Sequence, residues 1–276
     1  MLFDRKLLFR NHFRHLSLLK ENGFLYQEVA GQMLANLQIY QQKFDKVLII
    51  GDKLGDIKCG LLSLGYEKHN ICSQFADLLF DEENLAEVNF SEHYAEKNFA
   101  GFAKKNFAEH SAEKNFTGFD LIVSLLSLQF INNPPNFLQQ VKSLLKKDGL
   151  FLASFFGEEH LPELFLATQK AENEIYQRIS ARMPPLINLT TATNLLAKVG
   201  FQSPIADLDV MCVEYQQIYK LLQDLKIMGC SNVLYARPKN FITKKFLQTI
   251  EKFYPKQAEN GYIASFSVIH LTGRKN

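Results

Sequence analysis

The chain has 276 residues, of which 47% are hydrophobic and 22% are charged, so it can bury one α/β core with an appended subdomain. Lys and Arg total 31 against 29 Asp and Glu, a balance that disfavours the broad basic surface needed to bind nucleic acid through its phosphates. Charged residues interrupt the apolar stretches, including the first ten residues, and we therefore expect neither a signal peptide nor a transmembrane segment.

The N-terminal part has apolar residues at helical spacing, which predicts two helices within residues 1–45. The apolar positions are Leu7, Leu8, Phe13, Leu25, Val29, Met33 and Leu37. A run of branched apolar residues without polar alternation follows at 47–50, as in a strand buried on both faces. Strand-like runs at 70–72, 120–124 and 149–156 then alternate with helix-like runs, one of them at 137–147. This alternation predicts a parallel sheet with crossover helices.

The C-terminal half contains a predicted helix at 161–182, which Met-Pro-Pro stops, and another at 190–199, which Gly200 ends. Strand-like runs at 206–213 and 263–272 flank a helix near 215–228. These late strands predict an antiparallel pair at the sheet edge. The predicted fold class is α/β: a doubly wound, mostly parallel, Rossmann-like sheet domain (46–276) with N-terminal helices (1–45), a helical lid (159–185) and the antiparallel C-terminal strand pair.

One segment departs from this alternation because it repeats itself. Residues 89–102 recur as 106–119, offset by 17 residues and identical at 11 of 14 positions. Two copies are too few for a solenoid, which needs about three stacked repeats. We interpret residues 89–119 as a duplicated insertion in a surface loop, where extra length adds little closure entropy.

The turn after the first predicted strand contains Gly51 and Gly55, an incomplete Gly-x-Gly-x-Gly pattern. In an open parallel sheet, ligands bind beyond the carboxyl ends of the strands, where this turn lies. Lys53 crowds the backbone that a dinucleotide pyrophosphate would need. S-adenosyl-L-methionine has no phosphate: its carboxylate suits the amides of a helix N-terminus, and its ammonium and sulfonium suit Asp52 or Asp56. The alternative is an ordinary strand-to-helix turn without a ligand, and if a ligand binds, a bulky residue at Gly51 is expected to abolish binding while leaving the fold intact.

Five further segments show a family resemblance: residues 3–8, 24–30, 119–130, 144–153 and 224–232. With them, the whole chain apart from the repeat resembles the class I S-adenosylmethionine-dependent methyltransferases. Within that family it is most similar to the branch that includes a mitochondrial complex I assembly factor described as an arginine hydroxylase. Residues 224–232 are specific to this branch.

The resemblance implies a set of site residues and also reveals departures from the family. The implied cofactor contacts are Gly51, Asp52, Gly55, Gln74 and Asp81, and the implied acceptor pocket contains Ser127, Gln129 and Arg182, with no catalytic residue identified. The family has an acidic residue at the position of Ile49 and a glycine at Lys53. No carboxylate ends the second strand to bind the ribose. Cys72, Ser73 or Gln74 must occupy that position, and Gln74 would supply weaker, neutral hydrogen bonds. Binding of S-adenosyl-L-methionine is accordingly expected to be weak.

Several of these residues have a purely structural alternative. Asp81 begins an Asp-Glu-Glu run that is also typical of a solvated surface. Arg182 could close a lid over a carboxylate, but an Arg is also expected at a helix C-terminus. Ser127 and Gln129 could simply end a strand. Relatives often have His-Trp where this chain has Gln129 and Phe130, so no imidazole is available there as a base.

Three functions remain open from the sequence. The first is methyl transfer to a small-molecule or protein acceptor, which depends mainly on orientation and needs few catalytic side chains. The second, implied by the resemblance, is assembly of respiratory complex I with hydroxylation of an arginine in a partner subunit, although we find no His/carboxylate triad for iron. The third is a scaffold that binds no cofactor. Four scattered cysteines predict neither zinc nor disulfides and favour the cytoplasm, with the inner membrane reached only through a partner.

Overall fold

The computed structural model describes residues 1–68, 71–74, 117–239, 242–255 and 261–276, without the side chains of Phe13 and Gln74. Asp81 and residues 89–116 of the repeat lie outside these ranges, so the predictions about them stay predictions. Only residues 117–119 of the duplicated segment are described, and the last of them, Phe119, is the first residue of a strand.

The N-terminal part forms three helices rather than the predicted two: α1 (Arg5–Arg14), α2 (Leu16–Asn22) and α3 (Phe24–Gln38). The Asp4 side chain caps the N-terminus of α1 by accepting a hydrogen bond from the Leu7 amide at 3.0 Å. Gly23 separates α2 from α3, and a side chain there would collide with the Leu19 carbonyl oxygen. The apolar face of α3 is buried against the sheet, as its helical spacing predicts.

The sheet is built around β1 (Val47–Ile50), whose four residues are fully buried. It pairs in parallel with β2 (Ile71–Gln74) on one side and β3 (Phe119–Leu125) on the other. Helix α4 (Asp56–Ser63) follows β1, and a short 3₁₀ helix (Leu128–Phe130) follows β3. Helix α5 (Pro134–Leu144) then leads into β4 (Leu145–Phe156), which pairs in parallel with β3. The predicted parallel sheet with crossover helices is therefore confirmed.

The rest of the chain consists of α6 (Pro162–Tyr176), α7 (Leu189–Val199), β5 (Gln202–Tyr215), α8 (Ile218–Ile227), α9 (Lys244–Phe253) and β6 (Tyr262–Arg274). Strand β6 pairs antiparallel with both β4 and β5, so the strand order among the described residues is β2-β1-β3-β4-β6-β5. This confirms the antiparallel pair at the edge. Sequence analysis missed α9, although Thr243 caps it by accepting from the Phe246 amide.

Two predicted helix ends are wrong, and the backbone explains both. Helix α5 was expected to reach residue 147, but it stops at Leu144 because Leu145 turns extended and pairs with Phe119 of β3. Helix α6 was expected to reach residue 182, but it stops at Tyr176 because Gln177 adopts the left-handed conformation, with φ of 49°. The Met-Pro-Pro sequence comes well after the true end of the helix.

Helices cover both faces of the sheet, as a doubly wound fold requires. The odd-numbered residues of β1 pack with α3, α4, α6, α8 and α9 in one apolar cluster. Its even-numbered residues pack with α5 and α7 in a second cluster. None of the helices in the described ranges combines the length and the apolarity needed to cross a bilayer.

Candidate cofactor and acceptor site

The turn after β1 places its two glycines in different surroundings. Both have positive φ, 83° at Gly51 and 81° at Gly55, which favours glycine. A side chain at Gly51 would collide with the Ser127 hydroxyl and the Leu125 carbonyl oxygen, so this glycine lets the turn pack against the segment after β3. At Gly55 no described atom lies within 4 Å of an added Cβ. The backbone at Gly55 is therefore open to a ligand, whereas that at Gly51 is closed by protein.

Two carboxylates of this turn are half-buried, and each has one buried oxygen that is not hydrogen-bonded to any part of the chain that the structure describes. Asp52 Oδ2 accepts from the Lys58 amide at 2.9 Å and so caps the first turn of α4. Asp52 Oδ1 and Asp56 Oδ2 have no hydrogen-bond partner among the described residues. Burial raises the pKa of both carboxyl groups above their usual values, and at Asp52 backbone hydrogen bonds act in the opposite direction. A ligand ammonium would satisfy these oxygens and favour their charged form, so the residues fit S-adenosyl-L-methionine.

The end of β2 lies level with the end of β1, since Ser73 pairs with Ile49 and Gln74 with Ile50. The backbone of Gln74 is thus next to the residue that precedes Gly51, at the predicted ribose position. The Ser73 hydroxyl is buried without a partner in the described part of the chain. Ser73 is one of the three residues that the sequence offers for the ribose position, and the register makes it a second polar group at this strand end.

Lys53 fastens the turn to the rest of the protein. Its ammonium donates to the Tyr26 hydroxyl at 2.7 Å and to the Met228 carbonyl at 3.2 Å, which connects the turn to α3 and to the end of α8. It also lies 4.9 Å from the centroid of the Tyr26 ring. The charge of Lys53 adds to burial in lowering the pKa of His12 well below its usual value. The lysine that replaces a family glycine is therefore bonded within the protein, and sequence analysis missed these contacts.

A cavity of about 660 Å³ lies among α6, the following coil, α8, α9 and the 3₁₀ helix. Gln129 and Arg182, two of the three predicted acceptor-pocket residues, line it together. Ser127 does not line it, because its hydroxyl packs on Gly51 and donates to the Leu125 carbonyl at 2.9 Å. The segment 127–130 thus contacts the glycine turn at one end and the cavity at the other.

The cavity also contains an imidazole that the sequence did not predict. His160 stacks on Phe156, with ring centroids 3.8 Å apart, at the start of the predicted lid. Burial lowers the pKa of His160 to about 3, against a hydrogen bond to the Ser267 backbone that acts in the opposite direction. Its Nδ1 has no partner within the described ranges. His160 is therefore neutral at physiological pH. The one sequence signal that could have identified it is a histidine between a buried strand and a helix that begins with proline.

Fold and site together define the class of protein. A glycine turn follows the central strand of a doubly wound sheet, an antiparallel pair closes one edge, and a separate cavity begins at the segment after β3. This is the arrangement of a Rossmann-like class I methyltransferase. Within the parts of the chain that the structure describes, no group of three His, Cys, Asp or Glu residues is placed to hold a metal ion.

The chain belongs to the methyltransferase domain family, whose model matches residues 40–203. It is 34% identical over 159 residues to "Arginine-hydroxylase NDUFAF5, mitochondrial" of Mus musculus, a match that covers 56% of this chain and 46% of the mouse protein. It is 24% identical over 152 residues to a malonyl-[acyl-carrier protein] O-methyltransferase of Laribacter hongkongensis, covering 55% of this chain and 49% of that protein. The chain spans less than half the length of the arginine-hydroxylase relatives. A SAM-dependent methyltransferase structure from Thermotoga maritima overlaps with a TM-score of 0.43 at 14% identity, covering 97% of this chain and 100% of that one.

Proposed function

We propose that this protein is an S-adenosylmethionine-dependent methyltransferase that acts on an acceptor bound in the cavity. The observation that supports it is the pair of half-buried carboxylates, Asp52 and Asp56, each with a buried oxygen that is not bonded to a described residue, beside the open backbone of Gly55. The match to the methyltransferase domain family covers residues 40–203 and so includes this turn, which supports the proposal. Gln74 and Asp81 stay predicted cofactor contacts.

The position of each residue suggests its role in binding the cofactor or the acceptor. When bound, the cofactor supplies an activated methyl group. Asp52 and Asp56 would hold its ammonium, and the amides at the start of α4 would meet its carboxylate. Gln129 donates from Nε2 to the Leu126 carbonyl at 2.8 Å, which fixes the side chain at the edge of the cavity. The protein's task in this proposal is orientation of the acceptor rather than activation.

The decisive experiment is calorimetric titration of the purified chain with S-adenosyl-L-methionine. We expect weak but measurable binding, and we expect Gly55→Val to abolish it. Gly65→Val is the matched control, because Gly65 also has positive φ, 87°, and open space around it, but lies at the other end of α4. Absence of heat and of thermal stabilisation at millimolar cofactor would reject the proposal and favour the scaffold. Equal loss of cofactor binding in both variants would show that the substitutions act by disturbing the fold rather than the site.

A second candidate function is assembly of respiratory complex I, with hydroxylation of an arginine in a partner subunit. The 34% identity to arginine-hydroxylase relatives favours it. A tagged chain purified from its native cell should then enrich complex I subunits over a tagged, unrelated methyltransferase. Mass spectrometry of those subunits should find hydroxylated arginine that is lost when the gene is deleted. Without enrichment or with unchanged arginines, this candidate fails.

Three further points belong with the proposal. Residues 159–185 would act as the lid over the acceptor, since they contribute α6 and the coil that line the cavity. Residues 1–45 would be a helical addition to the domain at 46–276. The location stays a prediction: the cytoplasm, with the inner membrane reached through a partner.

A further inference from the structure

The cavity is mostly apolar but has a positively charged wall. Most of its lining consists of Phe, Leu, Ile, Val and Met side chains from α6, α8, α9 and the N-terminal segment. The charged residues of the described lining are Arg182, Glu172 and the exposed Lys226 and Lys244, three cations against one carboxylate. The volume of about 660 Å³ is within the range of small-molecule sites. An apolar cavity with net positive charge suits an apolar anion.

Arg182 is held in place through only one of its nitrogens. Its Nε donates to Glu172 Oε1 at 2.7 Å, and its guanidinium carbon lies 4.5 Å from the centroid of the Phe246 ring. Both terminal nitrogens, Nη1 and Nη2, have no hydrogen-bond partner among the described residues. These two nitrogens form the fork that binds a carboxylate in bidentate geometry. The guanidinium is therefore oriented in advance and keeps its strongest binding edge available.

Glu172 does not compete for that edge. It is only 1% exposed, and its second oxygen, Oε2, accepts from the Ser180 amide at 2.7 Å. Both oxygens of Glu172 are thus used inside the wall, one to hold Arg182 and one to fold the chain after α6. The guanidinium, together with Lys226 and Lys244, leaves the cavity with positive charge for a ligand.

We propose, on the basis of the proposed function, that the acceptor is a small, mostly apolar carboxylic acid whose carboxylate is bound by Nη1 and Nη2 of Arg182. A hydroxyl or amine at the other end of this acid would take the methyl group from the cofactor sulfonium and release its proton to solvent, leaving S-adenosyl-L-homocysteine. The carboxylate acts as an anchor, while the apolar body fills the cavity toward Gln129, next to the segment that packs on the glycine turn. Charge-assisted bidentate bonds give orientation as well as affinity. Arg182 is a binding residue in this assignment, and it selects acids over neutral or cationic analogues.

The test compares three probes of equal chain length: decanoate, decan-1-ol and decylammonium, titrated calorimetrically without cofactor. We expect decanoate to bind about tenfold or more tightly than decan-1-ol, and decylammonium to bind most weakly. In Arg182→Gln/Glu172→Gln, the decanoate preference should fall to within about twofold while decan-1-ol binding stays unchanged. The double variant is needed because Glu172 alone would remain buried without its counter-ion.

The matched control is Glu174→Gln/Lys252→Gln, which removes an exposed ion pair of 2.8 Å between α6, the helix that also contains Glu172, and α9. It should keep the full preference for decanoate. Arg182→Lys keeps the buried charge paired but lacks the fork, so it should retain only part of the preference even if the double variant does not fold. Equal binding of acid and alcohol by the wild type, or loss of preference in the control, would overturn the assignment. Because no cofactor is present, failure here leaves the cofactor titration unaffected.

Discussion

Gly51 and Gly55 are alike in the sequence, but only Gly51 is closed in by neighbouring atoms. We predict that Gly51→Ala destabilises the protein by about 3 kcal/mol or more, because the new Cβ would force apart the Ser127 and Leu125 segment as well as strain the positive φ. Gly55→Ala, with open space around it, should cost only the backbone strain of about 1–2 kcal/mol. Urea denaturation of both variants measures the difference. Equal costs would mean that the turn does not pack on Ser127 as described.

The close contacts around Gly51 correct the expectation that a bulky residue there leaves the fold intact. A loss of cofactor binding in such a variant could come from unfolding of the turn. Gly55 is the better position for testing the ligand, because its environment is empty on the protein side.

Asp52 has two roles that a single substitution separates. In Asp52→Asn the side-chain oxygen can still accept from the Lys58 amide, so the cap of α4 is kept and the buried charge is removed. We expect the free energy of unfolding at neutral pH to stay equal or rise slightly, because burial raises the pKa of this carboxyl group and so opposes its charged form in the folded state. Cofactor affinity should fall by about tenfold. Denaturation and calorimetry measure the two effects, and exposed Asp45→Asn is the control that should change neither.

Helix α6 ends where the sequence did not indicate, at a left-handed Gln177. Glycine adopts this conformation without the steric cost that a Cβ brings. We therefore predict that Gln177→Gly stabilises the protein by about 0.5–1 kcal/mol, measured as a shift in the urea midpoint at constant slope. Lys170→Gly, exposed within the same helix, should instead destabilise by about 1 kcal/mol. If both variants are destabilised, α6 continues beyond Tyr176 in solution.

Local sequence patterns correctly predicted the secondary-structure elements whose formation depends on neighbouring residues. The unbroken apolar run at 47–50 correctly predicted β1, and the helical spacing of apolar residues correctly predicted α3, because each pattern reflects which faces of the element are buried. The predicted ends of α5 and α6 were wrong because contacts outside each helix decide them. Leu145 pairs with Phe119, which is distant in sequence, and the Ser180 amide beyond α6 donates to Glu172. Helix α9 was missed although its Thr243 cap and apolar spacing were present.

The whole molecule should lose stability on mild acidification. The four histidines that the structure describes, His12, His15, His160 and His270, all have pKa values lowered chiefly by burial. Unfolded, these groups titrate near their ordinary pKa of about 6.5, so below that pH the unfolded chain binds more protons than the folded one. The free energy of unfolding should therefore fall as the pH drops through about 6.5 toward 5.

His160 allows this prediction to be tested at one site. In His160→Gln we expect the slope of unfolding free energy against pH, between about pH 6 and pH 5, to decrease by up to about 1.4 kcal/mol per pH unit, the value for one proton. The measurement is urea denaturation at a series of pH values. His15→Gln is the control, since His15 is only half-buried and should change the slope less. Equal slopes for wild type and His160→Gln would contradict the burial of this imidazole.

The sequence by itself determined the α/β class, the parallel sheet, the antiparallel edge pair and the glycine turn, because periodicity and turn chemistry act within a few residues. It also selected Gln129 and Arg182, which the fold brings to one cavity. Only the tertiary structure decided how these groups can act. The contact of Gly51 with Ser127, the bonds of Lys53 to Tyr26 and Met228, and the pairing of Arg182 with Glu172 join residues from different elements. Burial, which leaves His160 neutral and the Asp52 carboxylate incompletely bonded, depends on the packing of the whole chain.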